Sequence, residues 1–257
     1  MDDQTQDVNR FYEGFADHYE LAYGGNWDGA LARQGAALDR LIRSGHPEAR
    51  DVLDCACGIG TQAIGLAQLG YRVRGTDLSD RAVARARAEA ERRGLSIELG
   101  VADFRDLRSV PAEYDVVIAC DNALPHLLDE ADVILALREM HGKLRPGGLL
   151  VVTMRDFDAA LLDRQPVMPT VVTKGPPRRL LVRLHDWESD RPLYHVRYLV
   201  LTEREGGWVL AEHSTRYRAI TRAELNRAAR AARFEALSWP AEQIVGGQQV
   251  MTAVRSA

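Results

Sequence analysis

The stretch from residue 50 to 155, where short apolar runs alternate with helical patterns, constrains the fold of this chain most. Asp51 to Ala56 has strand length, and Thr61 to Leu69 has helical spacing. Tyr71 to Thr76 reads as a second strand. Asp80 to Arg93, rich in Ala, Arg and Glu, reads as a helix closed by Gly94. Ile97 to Val101 and Tyr114 to Cys120 follow as strands, then Glu130 to Leu144 as a helix. Pro146-Gly147-Gly148 turns the chain into a further strand, Leu149 to Met154. Near-continuous apolar strands separated by helices predict a parallel sheet covered on both faces, a doubly wound α/β fold.

Beyond residue 155 the period becomes two. Val167 to Lys174, Leu180 to Asp186, Leu193 to Glu203 and Trp208 to Tyr217 read as strands, with Glu205-Gly206-Gly207 as a hairpin turn. Thr221 and Glu224 form a capping box for a helix from Arg222 to Ala232. Phe234 to Trp239 and Val250 to Val254 close the chain as strands. An antiparallel β insert after the fifth strand therefore interrupts a sheet that resumes near the end. The first 45 residues read as helices carrying Phe11, Tyr12, Phe15, Tyr19, Tyr23 and Trp27. A single domain over 1–257 is expected: a helical cover (1–48), a ligand-binding core (49–156), the insert (157–220) and completion of the sheet (221–257).

Composition narrows the function classes. The chain has 257 residues, 46% hydrophobic, which is ample for one large core. Net charge is −4 and no Lys/Arg-rich block stands out, so no nucleic-acid partner is expected. Apolar runs such as Asp115 to Cys120 are far short of a membrane span, and Met1-Asp2-Asp3-Gln4 is too polar for a secretory signal. Three cysteines, an odd number, suit a reducing compartment, so a cytoplasmic location is expected. Cys55 and Cys57 lack zinc spacing; no metal site is expected.

The run Asp54-Cys55-Ala56-Cys57-Gly58-Ile59-Gly60 ends a strand and opens a helix. Small residues let backbone approach a ligand closely, and the helix start offers free N–H donors. Residues 58 to 63 read Gly-Ile-Gly-Thr-Gln-Ala, close to a dinucleotide fingerprint with its permitted alanine. Asp54, however, would repel a pyrophosphate and suits the ammonium end of an amino-acid-bearing cofactor. No Gly-Lys-Ser/Thr follows, which excludes a P-loop. Asp77, 17 positions after Gly60, closes the second strand and can accept two ribose hydroxyls, in NAD or S-adenosylmethionine alike. Asp103-Phe104 after the third strand supplies an acid for an adenine amino group beside an aromatic cover. Each acid alone could be only an N-cap or a solvated loop carboxylate.

With these residues in place, the chain resembles the class I methyltransferases, and within them the glycine/sarcosine N-methyltransferase group. The resemblance is carried by Val52 to Thr61, Asp77-Leu78-Ser79, Asn122 to Leu127 and Leu144 to Gly148, and implies a seven-stranded sheet whose last strand is antiparallel. It implies S-adenosylmethionine as cofactor, lined by Ala56, Gly58, Gly60, Asp77, Leu78, Asp103 and Phe104, with Cys120 at its edge. It also implies that Tyr19 and Arg33 of the N-terminal cover close on the cofactor, Arg33 against its carboxylate.

The same resemblance implies an acceptor site. The fourth strand delivers Cys120-Asp121-Asn122-Ala123-Leu124-Pro125-His126. Asn122 matches an asparagine that helps hold the acceptor's carboxylate, and His126 a histidine beside the methionine end of the cofactor. Arg155 matches the arginine that binds that carboxylate; a guanidinium fork pairs with it through two parallel bonds. Asp121 replaces the group's glycine, which opens the acceptor's identity. Asp121 and His126 are candidate catalytic groups, because an amine must arrive deprotonated. Tyr217 is a candidate acceptor contact, with packing as its other reading. Arg155 could instead pair with Asp156 or Asp158. The function expected is methyl transfer to the amine of a small molecule or amino acid, by a chain that could form homo-oligomers. The alternative is O- or C-methylation of a larger natural product, with a metal-dependent variant that would use Asp121 and Asn122. An NAD-binding or non-enzymatic protein is the third reading. DNA amino-methylators carry Asp/Asn-Pro-Pro-Tyr/Phe after the fourth strand, which Cys120 to Pro125 lacks.

Overall fold

The computed structural model describes residues 3–111, 113–173, 176–241 and 248–256. The chain opens with α1 (Asp3–Phe15), a 3-10 helix over Ala16–Tyr23, and α2 (Trp27–Gly45). β1 (Asp51–Asp54), α3 (Thr61–Gln68), β2 (Arg72–Asp77), α4 (Asp80–Arg92) and β3 (Glu98–Val101) follow. Next come β4 (Tyr114–Ala119), a 3-10 turn over Leu124–His126, α5 (Glu130–Lys143), β5 (Leu144–Met154) and α6 (Phe157–Leu162). β6 (Val167–Val172), β7 (Arg179–Trp187), β8 (Leu193–Arg204) and β9 (Gly207–Arg218) form the insert, and α7 (Arg222–Ala231), β10 (Phe234–Ser238) and β11 (Gln249–Arg255) end the chain.

The expected mostly parallel, seven-stranded sheet is present, in the order β10-β11-β5-β4-β1-β2-β3. β11 runs antiparallel to β5, while β5, β4, β1, β2 and β3 are mutually parallel. Val52, Leu53 and Val116 to Ala119 are buried because helices cover both faces. Strand order reverses beside β1, which opens a crevice at the carboxyl ends of β1 and β4. Helix starts follow their side chains: Ser79 Oγ accepts the Ala82 N–H at 3.2 Å, and Thr221 with Glu224 completes the capping box. α2 lies directly on α3. A Cβ on Gly35 would stand 2.8 Å from the Gly65 carbonyl carbon, so both positions need glycine for this close approach.

The insert is a four-stranded antiparallel sheet, β6-β7-β8-β9. Leu181 and Val200 of this sheet pack on Phe11, Phe15 and Leu21, so the N-terminal cover and the insert share a core. Tyr194, Val196 and Tyr217 join the main core instead. The sheet therefore roofs the crevice.

Two local expectations differ from what is seen. The fifth strand begins at Leu144, before Pro146-Gly147-Gly148, which forms an irregularity inside it with Gly147 at φ +77°. Residues 157–162 are a helix, started by Asp156 Oδ1 accepting the Ala159 N–H at 3.0 Å. Lys174, expected to end the first insert strand, lies outside the described residues. No described helix is long and apolar enough to cross a membrane.

Candidate active site

Two adjoining chambers open at the crevice. The first is lined by Ala56, Asp77, Leu78, Asp103, Phe104 and Cys120, with Tyr12, Tyr19 and His126 above them. The turn after β1 fits it closely. Gly58 has φ +51°, and a Cβ there would stand 3.1 Å from Tyr19 Oη. The Gly58 N–H donates to Asp77 Oδ2 at 2.8 Å, and the Ser79 N–H donates to Asp77 Oδ1 at 3.0 Å. Asp77 is thus locked by backbone with lone pairs to spare for a ligand's hydroxyls. Burial raises its pKa, and those backbone donors oppose the rise. Asp103 is held by an ion pair with Arg105 Nη2 at 2.7 Å, and Arg105 also bonds Asp132 at 3.0 Å.

Asp121 lines both chambers. It and Asn122 adopt left-handed backbone, φ 59° and 71°, which a short polar side chain tolerates best. Their backbone N–H groups donate to Thr153 Oγ1 (2.8 Å) and Thr153 carbonyl (3.1 Å) on β5, which fixes the bend. Three side chains donate to the Asp121 carboxylate: Tyr23 Oη at 2.5 Å, Gln62 Nε2 at 3.2 Å and Gln248 Nε2 at 3.0 Å. Gln62 is braced in turn by buried Gln34. Burial still raises the Asp121 carboxyl, so it holds a proton more readily than an exposed aspartate.

His126 is only 5% exposed, and burial lowers its pKa to about 3, so its imidazole is neutral. Nε2 hydrogen-bonds Tyr12 Oη at 2.7 Å, Nδ1 lies 3.4 Å from Thr215 Oγ1, and the Tyr217 ring crosses it edge-on at 4.5 Å.

The second chamber runs from Asp121 and Asn122 to Arg155, Met168, Arg183 and His185, with Tyr198 and Tyr217 on its wall. Asn122 Oδ1 accepts the Arg155 N–H at 3.1 Å. The Arg155 guanidinium meets neutral groups: Tyr194 Oη at 3.2 Å, Met168 Sδ at 3.4 Å and His185 Nε2 at 3.5 Å. Asp156 caps α6 and Asp158 accepts the Arg222 N–H at 3.1 Å, so neither neutralises it.

Most residues singled out from sequence converge here. Tyr19, Ala56, Asp77, Leu78, Asp103, Phe104, Cys120 and His126 line the first chamber, and Asn122, Arg155 and Tyr217 the second. Arg33, Asp54, Gly58 and Gly60 do something else. Arg33 is exposed on α2, while its neighbour Gln34 is the residue turned inward. Asp54 is fully buried beneath the turn and lines neither chamber; Oδ1 accepts the Ala56 N–H at 3.3 Å and Oδ2 has no partner. Burial pushes its pKa to about 8. Gly58 and Gly60 act through backbone: Gly60, at φ +91°, starts α3, and a Cβ there would be 2.9 Å from Ile64 Cδ1. His126 has both nitrogens occupied, which fits a positioning group better than a base.

Sequence reasoning missed Tyr12, Tyr23, Gln62, Gln248, Arg183 and His185. Gln62 lies in the first turn after Gly60, and Tyr12 and Tyr23 lie among the N-terminal aromatics, whereas Gln248, Arg183 and His185 carry no sequence signal. Among the described residues, no group of three His, Cys, Asp or Glu is placed to hold a metal ion.

A sheet reversed beside β1, a glycine turn locked to a strand-end carboxylate and an acid after the third strand together define a class I methyltransferase fold. Residues 52–148 match the family model described as a methyltransferase domain. Its fold, the match over 52–148 and the relatives it resembles are those of S-adenosylmethionine-dependent methyltransferases. It is 32% identical over 152 residues to a glycine/sarcosine N-methyltransferase of Parasynechococcus marenigrum, covering 59% of this chain and 52% of that protein. A ubiquinone biosynthesis O-methyltransferase of Methylocella silvestris is 30% identical over 183 residues, covering 64% and 66%. The chain spans about half the length of the glycine/sarcosine relatives it matches. In fold it is similar to the S-adenosylmethionine-bound amino pentose methyltransferase of Micromonospora echinaspora, with TM-score 0.79, 23% identity and 93% and 96% of the two chains covered.

Proposed function

We propose that the chain methylates the amine of a small acceptor whose acidic end is anchored by Arg155. The observation that carries this reading is Arg155 itself: a partly buried guanidinium, facing a chamber beside Asp121, that meets only neutral side chains. A cation held this way is stabilised by an anion brought in with the acceptor. Asp121 stands where the two chambers meet, and its raised carboxyl pKa suits a group that takes the amine's proton.

The first chamber fits the cofactor. Asp77 has free lone pairs for ribose hydroxyls, Asp103 and Phe104 suit an adenine edge and face, and Gly58 lets the ligand approach backbone. S-adenosylmethionine supplies there an electrophilic methyl group on a sulfonium. Asp121 and the rings of Tyr12 and Tyr19 put negative charge and π-faces near that cation. Burial keeps both phenols protonated, and Tyr12, fixed by neutral His126, holds the junction in one arrangement. The protein's work is then alignment and exclusion of water.

O-methylation of a larger acceptor is the second reading, favoured by the aromatic wall of Phe11, Tyr198 and Tyr217. Methyl transfer to a panel of amino acids, simple amines and phenols separates the two. Arg155→Met should raise the KM of a carboxylate-bearing amine about 30-fold with cofactor affinity unchanged. Turnover of phenols alone, or an unmoved KM, would refute the anchor.

A further inference from the structure

We infer that the acceptor carries a dianionic end, clamped by Arg183 together with Arg155. This rests on the second chamber being the acceptor site. Alternation along β7 puts Arg183 and His185, two residues apart, on one face, and both line that chamber. Met168 stands opposite Arg183 across the β6–β7 pairing, and the Arg155 guanidinium ends on the Met168 sulfur at 3.4 Å. The two arginines, one just past the end of β5 and the other on β7, therefore meet on the same wall.

No described residue neutralises either one. Among the described residues neither Arg155 nor Arg183 has a carboxylate partner, and Arg183 Nε is buried without any partner. His185 Nδ1 is buried and unpartnered as well. Burial and the two nearby guanidiniums lower the His185 pKa to about 4, so the ring is neutral and can offer a hydrogen bond without adding charge. Asp121, the chamber's own carboxylate, already accepts from Tyr23, Gln62 and Gln248. A monocarboxylate would match one guanidinium and leave the other desolvated and unpaired. A phosphoryl group or a pair of carboxylates matches both forks.

Calorimetric titration of the S-adenosylhomocysteine-saturated chain with acetate, malonate and pyrophosphate tests the clamp. Malonate or pyrophosphate, or both, should bind about tenfold or more tightly than acetate, and which of them does so separates a carboxylate source from a phosphoryl one. Arg183→Met should erase that advantage, with acetate affinity held within about twofold. S-adenosylhomocysteine affinity reports whether the variant is folded, and Arg183→Gln replaces it where it is not. An advantage that survives both substitutions, or none in the parent, would overturn the clamp. In that event, acetate binding still weakened by Arg155→Met leaves the single anchor standing; acetate binding insensitive to Arg155→Met removes the acceptor site too.

Discussion

The two chambers meet at one carboxylate yet are built in opposite ways. The first takes its walls from consecutive loops after β1, β2 and β3, and its central contacts are backbone N–H groups of Gly58 and Ser79 on Asp77. The second is assembled from the N-terminal cover, the loops after β4 and β5, and β6, β7, β8 and β9, and its Arg155 guanidinium is held by side chains. Backbone donors on a parallel sheet are the same whatever the acceptor, which on the proposed reading suits the first chamber to a constant ligand. Side chains on an inserted sheet can change without disturbing that frame, which on the same reading suits the second to the choice of acceptor.

Substitutions can break or sharpen this division. The largest effect belongs to Asp77→Ala, which strands two backbone donors and removes the carboxylate facing the ligand. S-adenosylhomocysteine affinity measured by calorimetry should fall several hundredfold, on the order of 3–4 kcal/mol. Asp121→Asn sits at the junction and should spare cofactor affinity while lowering kcat about 100-fold. Because burial raises the Asp121 carboxyl, parent kcat/KM should climb with pH as that group loses its proton, and the Asn variant should lose this acid limb. An unchanged pH profile would remove Asp121 from proton transfer.

His126 tests the wall between the chambers through stability. Its pKa is about 3 when folded and near 6.5 in an unfolded chain, so the unfolded state binds a proton that the folded state refuses. Its contribution is fully present above pH 6.5 and is lost as pH falls toward 3, about 2 kcal/mol of it by pH 5. Denaturant unfolding between pH 7 and 5 should show this slope, reduced in His126→Gln; His185, lowered to about 4, adds a slope of the same sign. The smallest effect is expected at Arg33. Exposed on α2, its replacement by Ala should change S-adenosylhomocysteine affinity less than about twofold, and a tenfold loss would restore it to the cofactor site.

The same contrast explains which features are legible in the amino-acid sequence. The sheet, the glycine turn, Asp77 and Asp103 are legible because their signals are local: apolar runs, left-handed glycines and acids at strand ends. Asp121 stands out as a departure from a related pattern, but its partners do not. Gln62, Tyr23 and Gln248 lie 59, 98 and 127 positions away along the chain, and no motif links them to it. Arg183 and His185 look in sequence like ordinary polar positions of a half-exposed strand, and only the β6–β7 register brings them to Arg155. Arg33, expected to close on the site, is exposed one position before the residue that is buried. On a helix that is a rotation of about 100°, enough to exchange it with buried Gln34.

The division of labour is tested most directly by titrating S-adenosylhomocysteine into the cofactor-free parent, Asp77→Ala and Arg155→Met. The expected result is saturable one-to-one binding to the parent, its loss in Asp77→Ala, and affinity within about twofold of the parent in Arg155→Met. Absence of binding to the parent, or an equal loss in both variants, would contradict it.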